Sequence, residues 1–190
     1  MIVADISDLL YPLTLFWQKG GHPLPSCEPI EGSEMPEPYR GLLVHHGDMT
    51  SRLEAFFDGS IVIEVLHCEH TPEVYRREVV LRIEATGLPA EYGAIEIDLG
   101  AFDGELRRLI LEHHLPLGGL LNRFGVRYRS EPKGFLKLGP DAVLQEVFGL
   151  PEARQFFGRS NVLLGEDGRT LARIVEVVRP AENAQSYAHV

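Results

Sequence analysis

The chain lacks the features that announce several large classes of protein. Two cysteines in 190 residues, Cys27 and Cys68, are too few for a disulfide framework or a paired-cysteine zinc pattern. Positive charge is scarce: 18 lysines and arginines stand against 28 aspartates and glutamates, a net charge of −10. That balance argues against a nucleic-acid groove, which needs a concentrated basic face. No apolar run approaches the roughly 18 residues of a membrane span, and the N-terminal stretch is broken early by Asp5 and Asp8 with no basic segment before it, unlike a signal peptide. The expectation is a chain in the reducing cytoplasm with no membrane partner. What it does have is 44% hydrophobic residues, enough to bury a core, and a length that fits one domain.

Prolines and glycines concentrate early. Residues 20–40 hold five prolines and three glycines, which reads as an ordered arm because proline supplies no backbone donor. We therefore expect an N-terminal helix and proline-rich arm over residues 1–40, packed on a domain of residues 41–180, with a flexible tail at 181–190. Beyond the arm, residues 47–57 suit a short helix, while 60–70 and 75–85 are rich in β-branched residues and read as strands. A third strand follows in 88–102, after the turn at Gly87-Leu88-Pro89. Residues 103–114 place Leu106, Leu109 and Ile110 at helical spacing. Pro140-Asp141 opens another helix that Gly149 stops, and Asp167-Gly168 turns a closing hairpin. The sum is α+β, a single-domain antiparallel sheet of about five or six strands with helices packed on one side.

Strand parity singles out the charged residues of interest. Side chains alternate between the faces of a strand, so Arg77 shares a face with Val79, Leu81 and Ile83, leaving Glu78, Val80, Arg82 and Glu84 on the wetter one. In the last strand Glu176 shares a face with Ala172, Ile174 and Val178. In the third, Glu91 shares one with Gly93, Ile95 and Ile97. Burying a lone charge is costly, and arginine does not escape by losing its proton. These residues form either internal ion pairs or a pocket in which arginine receives an anion and a carboxylate handles a proton. Gly118-Gly119 offers bare backbone to a ligand, and Arg159 lies just before the final hairpin.

Four segments, in order, resemble those of chorismate pyruvate-lyase, the 4-hydroxybenzoate synthase family. They are "DMTSRLE" (48–54), "YRREVVL" (75–81), "LPLGGLL" (115–121) and "GRSNVLL" through "GRTLARIVEVVRP" (158–180). The resemblance implies a chorismate lyase-like fold with an internal ligand pocket, and a lyase with neither cofactor nor metal that removes pyruvate from chorismate. Arg77 and the amides of Leu117 and Gly118 would hold the ring carboxylate, with Arg159 a candidate for the enolpyruvyl carboxylate and Glu91 a further contact. Glu176 would be the general acid or base, with Arg77 beside it, and Met49 and Thr50 would line the pocket. The partner would be chorismate or a related aromatic acid, the protein a monomer or weak homo-oligomer, and the setting quinone-precursor synthesis. The better-known bacterial branch carries a second arginine after the glycine of the third strand, where this chain has Ala94.

A second class of function stays open. Effector domains of GntR-family regulators are similar in fold and bind small acids without chemistry. They normally follow a winged-helix domain, whereas the residues before Arg40 are few and proline-rich, so the expectation favours the enzyme and excludes nucleic acid. His45-His46-Gly47-Asp48 and the group His67, Cys68 and His70 lack the spacing of a metal site. They read as packing or surface residues.

Overall fold

The computed structural model describes residues 5–181; residues 182–190 of the expected flexible tail lie outside them. In chain order the elements are α1 (Ile6–Leu9), α2 (Leu13–Lys19), β1 (Cys27–Ile30), α3 (Tyr39–Leu43), α4 (Met49–Phe57), β2 (Ile61–His70), β3 (Val74–Ile83) and β4 (Pro89–Asp98). They continue with α5 (Gly104–Leu111), α6 (Leu117–Arg123), β5 (Tyr128–Leu138), α7 (Ala142–Phe148), β6 (Phe156–Gly165) and β7 (Thr170–Val178). The strands form one sheet in the order β1-β5-β6-β7-β4-β3-β2, antiparallel throughout. No helix among the described residues is long and apolar enough to cross a membrane.

Local chemistry sets the helix ends. Asp48 caps α4 by accepting the Ser51 amide at 2.8 Å, and Asp141 caps α7 by accepting that of Leu144 at 3.0 Å, each satisfying one of the first-turn donors that a helix leaves open. Gly149 ends α7 in the left-handed region. The β6–β7 hairpin turns through Gly168, whose φ of +79° suits glycine.

Two cores cover one face of the sheet. Leu42, Leu43, Met49 and Leu53 of α3 and α4 pack on Leu81, Phe157 and Val178. Leu106 and Ile110 of α5 with Leu117, Leu120 and Leu121 of α6 pack on Ile95, Ile97 and Ala172. The other face carries a third core, in which Leu9, Leu13 and Trp17 of the N-terminal helices and Leu144 and Phe148 of α7 meet Val80, Tyr92, Val175 and Val177.

That third core changes the reading of β3. The face expected to be wetter is covered: Val80 is fully buried, and so is most of Glu78. Glu78 is satisfied there, since Tyr92 donates its hydroxyl to the carboxylate, Trp17 Nε1 donates to that hydroxyl at 2.6 Å, and His67 Nδ1 lies 2.7 Å from the second carboxylate oxygen. Two strands also exceed the expected count. The proline-rich arm supplies β1, which pairs with the edge of β5, and β5 itself crosses Pro132 by a register shift between Pro132 and Gly134.

Candidate functional site

Between the α3–α4 core and the α5–α6 core, the middle of the sheet is left uncovered by side chains and forms the floor of a cavity. All eight residues expected at a site line it: Met49, Thr50, Arg77, Glu91, Leu117, Gly118, Arg159 and Glu176. Parity accounts for this convergence. In the register, Arg77 stands opposite Ile95, Gly93 opposite Glu176, and Glu176 opposite Arg159, so their side chains emerge on one face of four adjacent strands. Gly93 keeps the floor low. A Cβ there would lie 2.1 Å from the carbonyl oxygen of Val175, so the close approach of β7 excludes any side chain.

The cavity leaves about 80 Å³ to the centres of water-sized molecules. That is the scale of a small molecule.

Four ionisable side chains sit in this space, each between 1% and 5% exposed. Arg159 and Glu176 form one closed unit. Arg159 Nε donates to the Glu176 carboxylate, and its Nη1 donates to the carbonyls of Leu43 at 3.2 Å and His45 at 3.1 Å. Arg77 is different. Its Nη2 donates to the Leu115 carbonyl at 3.1 Å, while its Nε and Nη1 are buried with no partner. Burial lowers its pKa, yet a guanidinium keeps its proton at neutral pH. Glu91 Oε2 is likewise buried and unpartnered. Burial, and then the charge of Glu176, hold the Glu91 carboxyl well above the usual range, with Arg159 acting against them. Glu91 therefore holds its proton to higher pH than an exposed glutamate does.

This arrangement differs from the one expected in which Arg77 stands beside Glu176. Arg77 is two strands away on β3, and Arg159 takes its place against Glu176. The Leu117 and Gly118 amides lie in the first turn of α6, on the side where Arg77 holds Leu115. Asp48 shares that corner, with its Cβ 3.0 Å from where a Cβ of Gly118 would stand, so the corner already has one carboxylate nearby. Asn161 and Ser130, which the sequence did not single out, complete the polar lining. Asn161 Nδ2 donates to Ser130 Oγ at 3.0 Å. Asn161 shares its face with Arg159, two residues away in β6, which is the signal that parity offered.

His45 is built into this site as a neutral acceptor. Its Nδ1 accepts the Gly47 amide at 3.1 Å, and its Nε2 donates to the Leu42 carbonyl at 2.7 Å. Burial, reinforced by Arg159 and Arg52, lowers its pKa to about 4. No group of three or more described His, Cys, Asp or Glu residues is placed to hold a metal ion.

No protein-family model matches the chain, and none of the curated proteins matches it. Solved structures do match in fold. PhnF from Mycobacterium smegmatis is similar at 17% identity and a TM-score of 0.56 over 72% of this chain and 65% of its own. Its effector domain alone is similar at 17% identity and 0.53, over 70% of this chain and 88% of its own. YydK from Bacillus subtilis, a possible transcriptional regulator, is similar at 12% identity and 0.50, over 65% of this chain and 59% of its own. This chain therefore spans less than two thirds of the length of the whole regulators. These findings correct the expectation of a carbon–oxygen lyase. The matching structures include an effector domain and a possible transcriptional regulator, and the carboxylate cast as the proton-handling group, Glu176, is tied to Arg159. What the likeness shows is the fold: the chain shares the α+β fold of the PhnF effector domain.

Proposed function

We propose that this chain is a ligand-binding domain that takes up a small organic acid and does no chemistry on it. One observation carries the reading. Arg77 is a buried cation lining a small cavity, and its Nε and Nη1 have no hydrogen-bond partner. Leaving a buried charge uncompensated costs several kcal/mol (about 3–5) when a partner is removed, so a site built this way is completed by an anion. A carboxylate fits the guanidinium fork with two parallel hydrogen bonds, and the first-turn amides of Leu117 and Gly118 lie within the same lining. The apolar walls, Val79, Ile95, Leu163 and Ile174, suit a hydrocarbon or aromatic body.

In a longer protein such a domain would report the ligand to the segments joined to it. The net charge of −10 concerns only these residues and does not bear on nucleic-acid binding elsewhere in a longer protein. The test is isothermal titration of the purified chain with 4-hydroxybenzoate and with neutral analogues such as 4-hydroxybenzamide. Binding of the acid alone, lost in Arg77→Met, supports the reading. Equal binding of acid and amide, or full affinity in the variant, refutes it.

A further inference from the structure

Arg77 accounts for one end of a ligand, and the opposite end of the cavity has its own chemistry. On β4, Glu91 lies four residues from Ile95, the partner of Arg77. At roughly 3.3 Å per residue, Arg77 and Glu91 leave the backbone about 13 Å apart along the strands, with Val79 and Gly93 between. The Glu91 end holds one cation, Arg159, and that cation is committed to Glu176 and to two carbonyls. The Glu91 carboxyl therefore stands at the far end of the cavity with an oxygen that nothing satisfies.

We infer that Glu91 selects the ligand: the cavity takes a compact monocarboxylate with a neutral oxygen acceptor at the end opposite its carboxylate, and it excludes dicarboxylates. This rests on the reading of Arg77 given above. The charge count supports it. Among the buried charges Arg159 is matched by Glu176, which leaves Arg77 to be matched by a single ligand carboxylate, with Asp48 the other carboxylate of the lining. A second carboxylate at the far end would face Glu176, and Arg159, the buried cation there, is already committed to Glu176 and two carbonyls. A protonated acid there donates a hydrogen bond to a hydroxyl or carbonyl oxygen, the use that enzymes make of carboxyls kept neutral by apolar burial.

Binding is then linked to the proton on Glu91. The charged or titratable groups around it are Glu176 on β7 and Arg159 on β6, Arg77 at the far end on β3, and, from the covering layer, His45 against Arg159 and Asp48 at the start of α4. Above the pH at which Glu91 ionises, the ligand binds together with one proton.

The test is calorimetry with 4-hydroxybenzoate, 4-methylbenzoate and terephthalate, in buffers of different ionisation enthalpy, on wild type, Glu91→Gln and Glu91→Leu. Wild type is expected to bind the hydroxy acid at least about tenfold tighter than the methyl acid and to bind terephthalate at least about a hundredfold more weakly than the hydroxy acid. Glu91→Gln, which keeps a neutral donor, retains the preference and loses the proton uptake, whereas Glu91→Leu binds hydroxy and methyl acids alike. Terephthalate binding as well as the hydroxy acid, or an unchanged preference in Glu91→Leu, overturns the inference. If all three acids bind equally and Arg77→Met abolishes each, the acid-binding reading survives and the role of Glu91 does not. If wild type binds none of them, both fail.

Discussion

Replacing Arg77 by methionine separates a ligand site from a structural ion pair, because the two predict different changes in stability. The guanidinium is desolvated, with one carbonyl as its hydrogen-bond acceptor at 3.1 Å and the Tyr75 ring centroid 5.9 Å from its Cζ. Replacing buried charges with apolar groups of similar volume is often neutral or stabilises by about 1–4 kcal/mol. The lost bond to the Leu115 carbonyl offsets about 1 kcal/mol of that. The net runs from about 1 kcal/mol against the variant to about 3 kcal/mol in its favour. At about 2–4 °C per kcal/mol for a chain of this size, its melting temperature should lie between about four degrees lower and about ten degrees higher. Binding falls. Two charge-assisted hydrogen bonds at about 1.5–3 kcal/mol each are lost, which weakens the affinity for a carboxylate by roughly 10²- to 10⁴-fold. Thermal melts with and without 4-hydroxybenzoate read both effects in one experiment. A variant that melts below that range, or that is still stabilised by the acid, would show that the buried charge is compensated within the fold and would refute the reasoning.

Other perturbations probe the same architecture. Glu91 keeps its proton to higher pH in the folded chain than in the unfolded one, so from the ordinary glutamate range near about 4.3 upward the wild type loses stability as pH rises towards the folded value. Glu91→Gln removes that dependence, and its melting-temperature advantage over wild type should widen from pH 5 to pH 8; a constant difference would mean that Glu91 is ionised. His45 behaves with the opposite sign. Its folded pKa of about 4 lies below the free value, so stability falls as pH drops from about 6.5 to about 4, and His45→Gln should flatten that acid limb in denaturant titrations at stepped pH. On the rear face, Tyr92→Phe strips Trp17 Nε1 of its acceptor and Glu78 of a donor. At about 1–3 kcal/mol per buried group left unpaired, urea unfolding should show a loss of about 2–5 kcal/mol, and a loss below about 1 would show that water satisfies the network.

The residues that could be placed from the sequence are those whose position follows from a period of two. Arg77, Glu91 and Glu176 declared a face by alternation alone, and the fold brings those faces together at one cavity. Pairing between strands was not legible in the same way. Arg159 meets Glu176 because β6 and β7 are hairpin neighbours in a particular register, while Arg77 stands on a strand two places away. Alternation also says nothing about what covers the second face. Glu78 looked solvated because the helices that bury it, α1 and α2, lie some sixty residues earlier in the chain. The strands β1 and β5 escaped notice because Pro29, Pro132 and Gly134 interrupt them. At β5 the sheet accommodates the interruption with a shift in register, which sequence periodicity alone does not reveal.

The lyase-like segments and the binding function meet in the position of Ala94. In the resembling bacterial branch an arginine follows the glycine of this strand, whereas here Ala94 is 1% exposed and packs into the rear core with Val80, Tyr92 and Val175. The cavity on the opposite face has two arginines, and one of them is held by Glu176. A substrate with two carboxylates would need both, and drawing Arg159 away would leave Glu176 buried without its partner beside Glu91. The charges therefore favour a ligand with a single carboxylate. Such a ligand completes Arg77 and leaves the Arg159–Glu176 pair intact, so the structure is arranged to hold it in place.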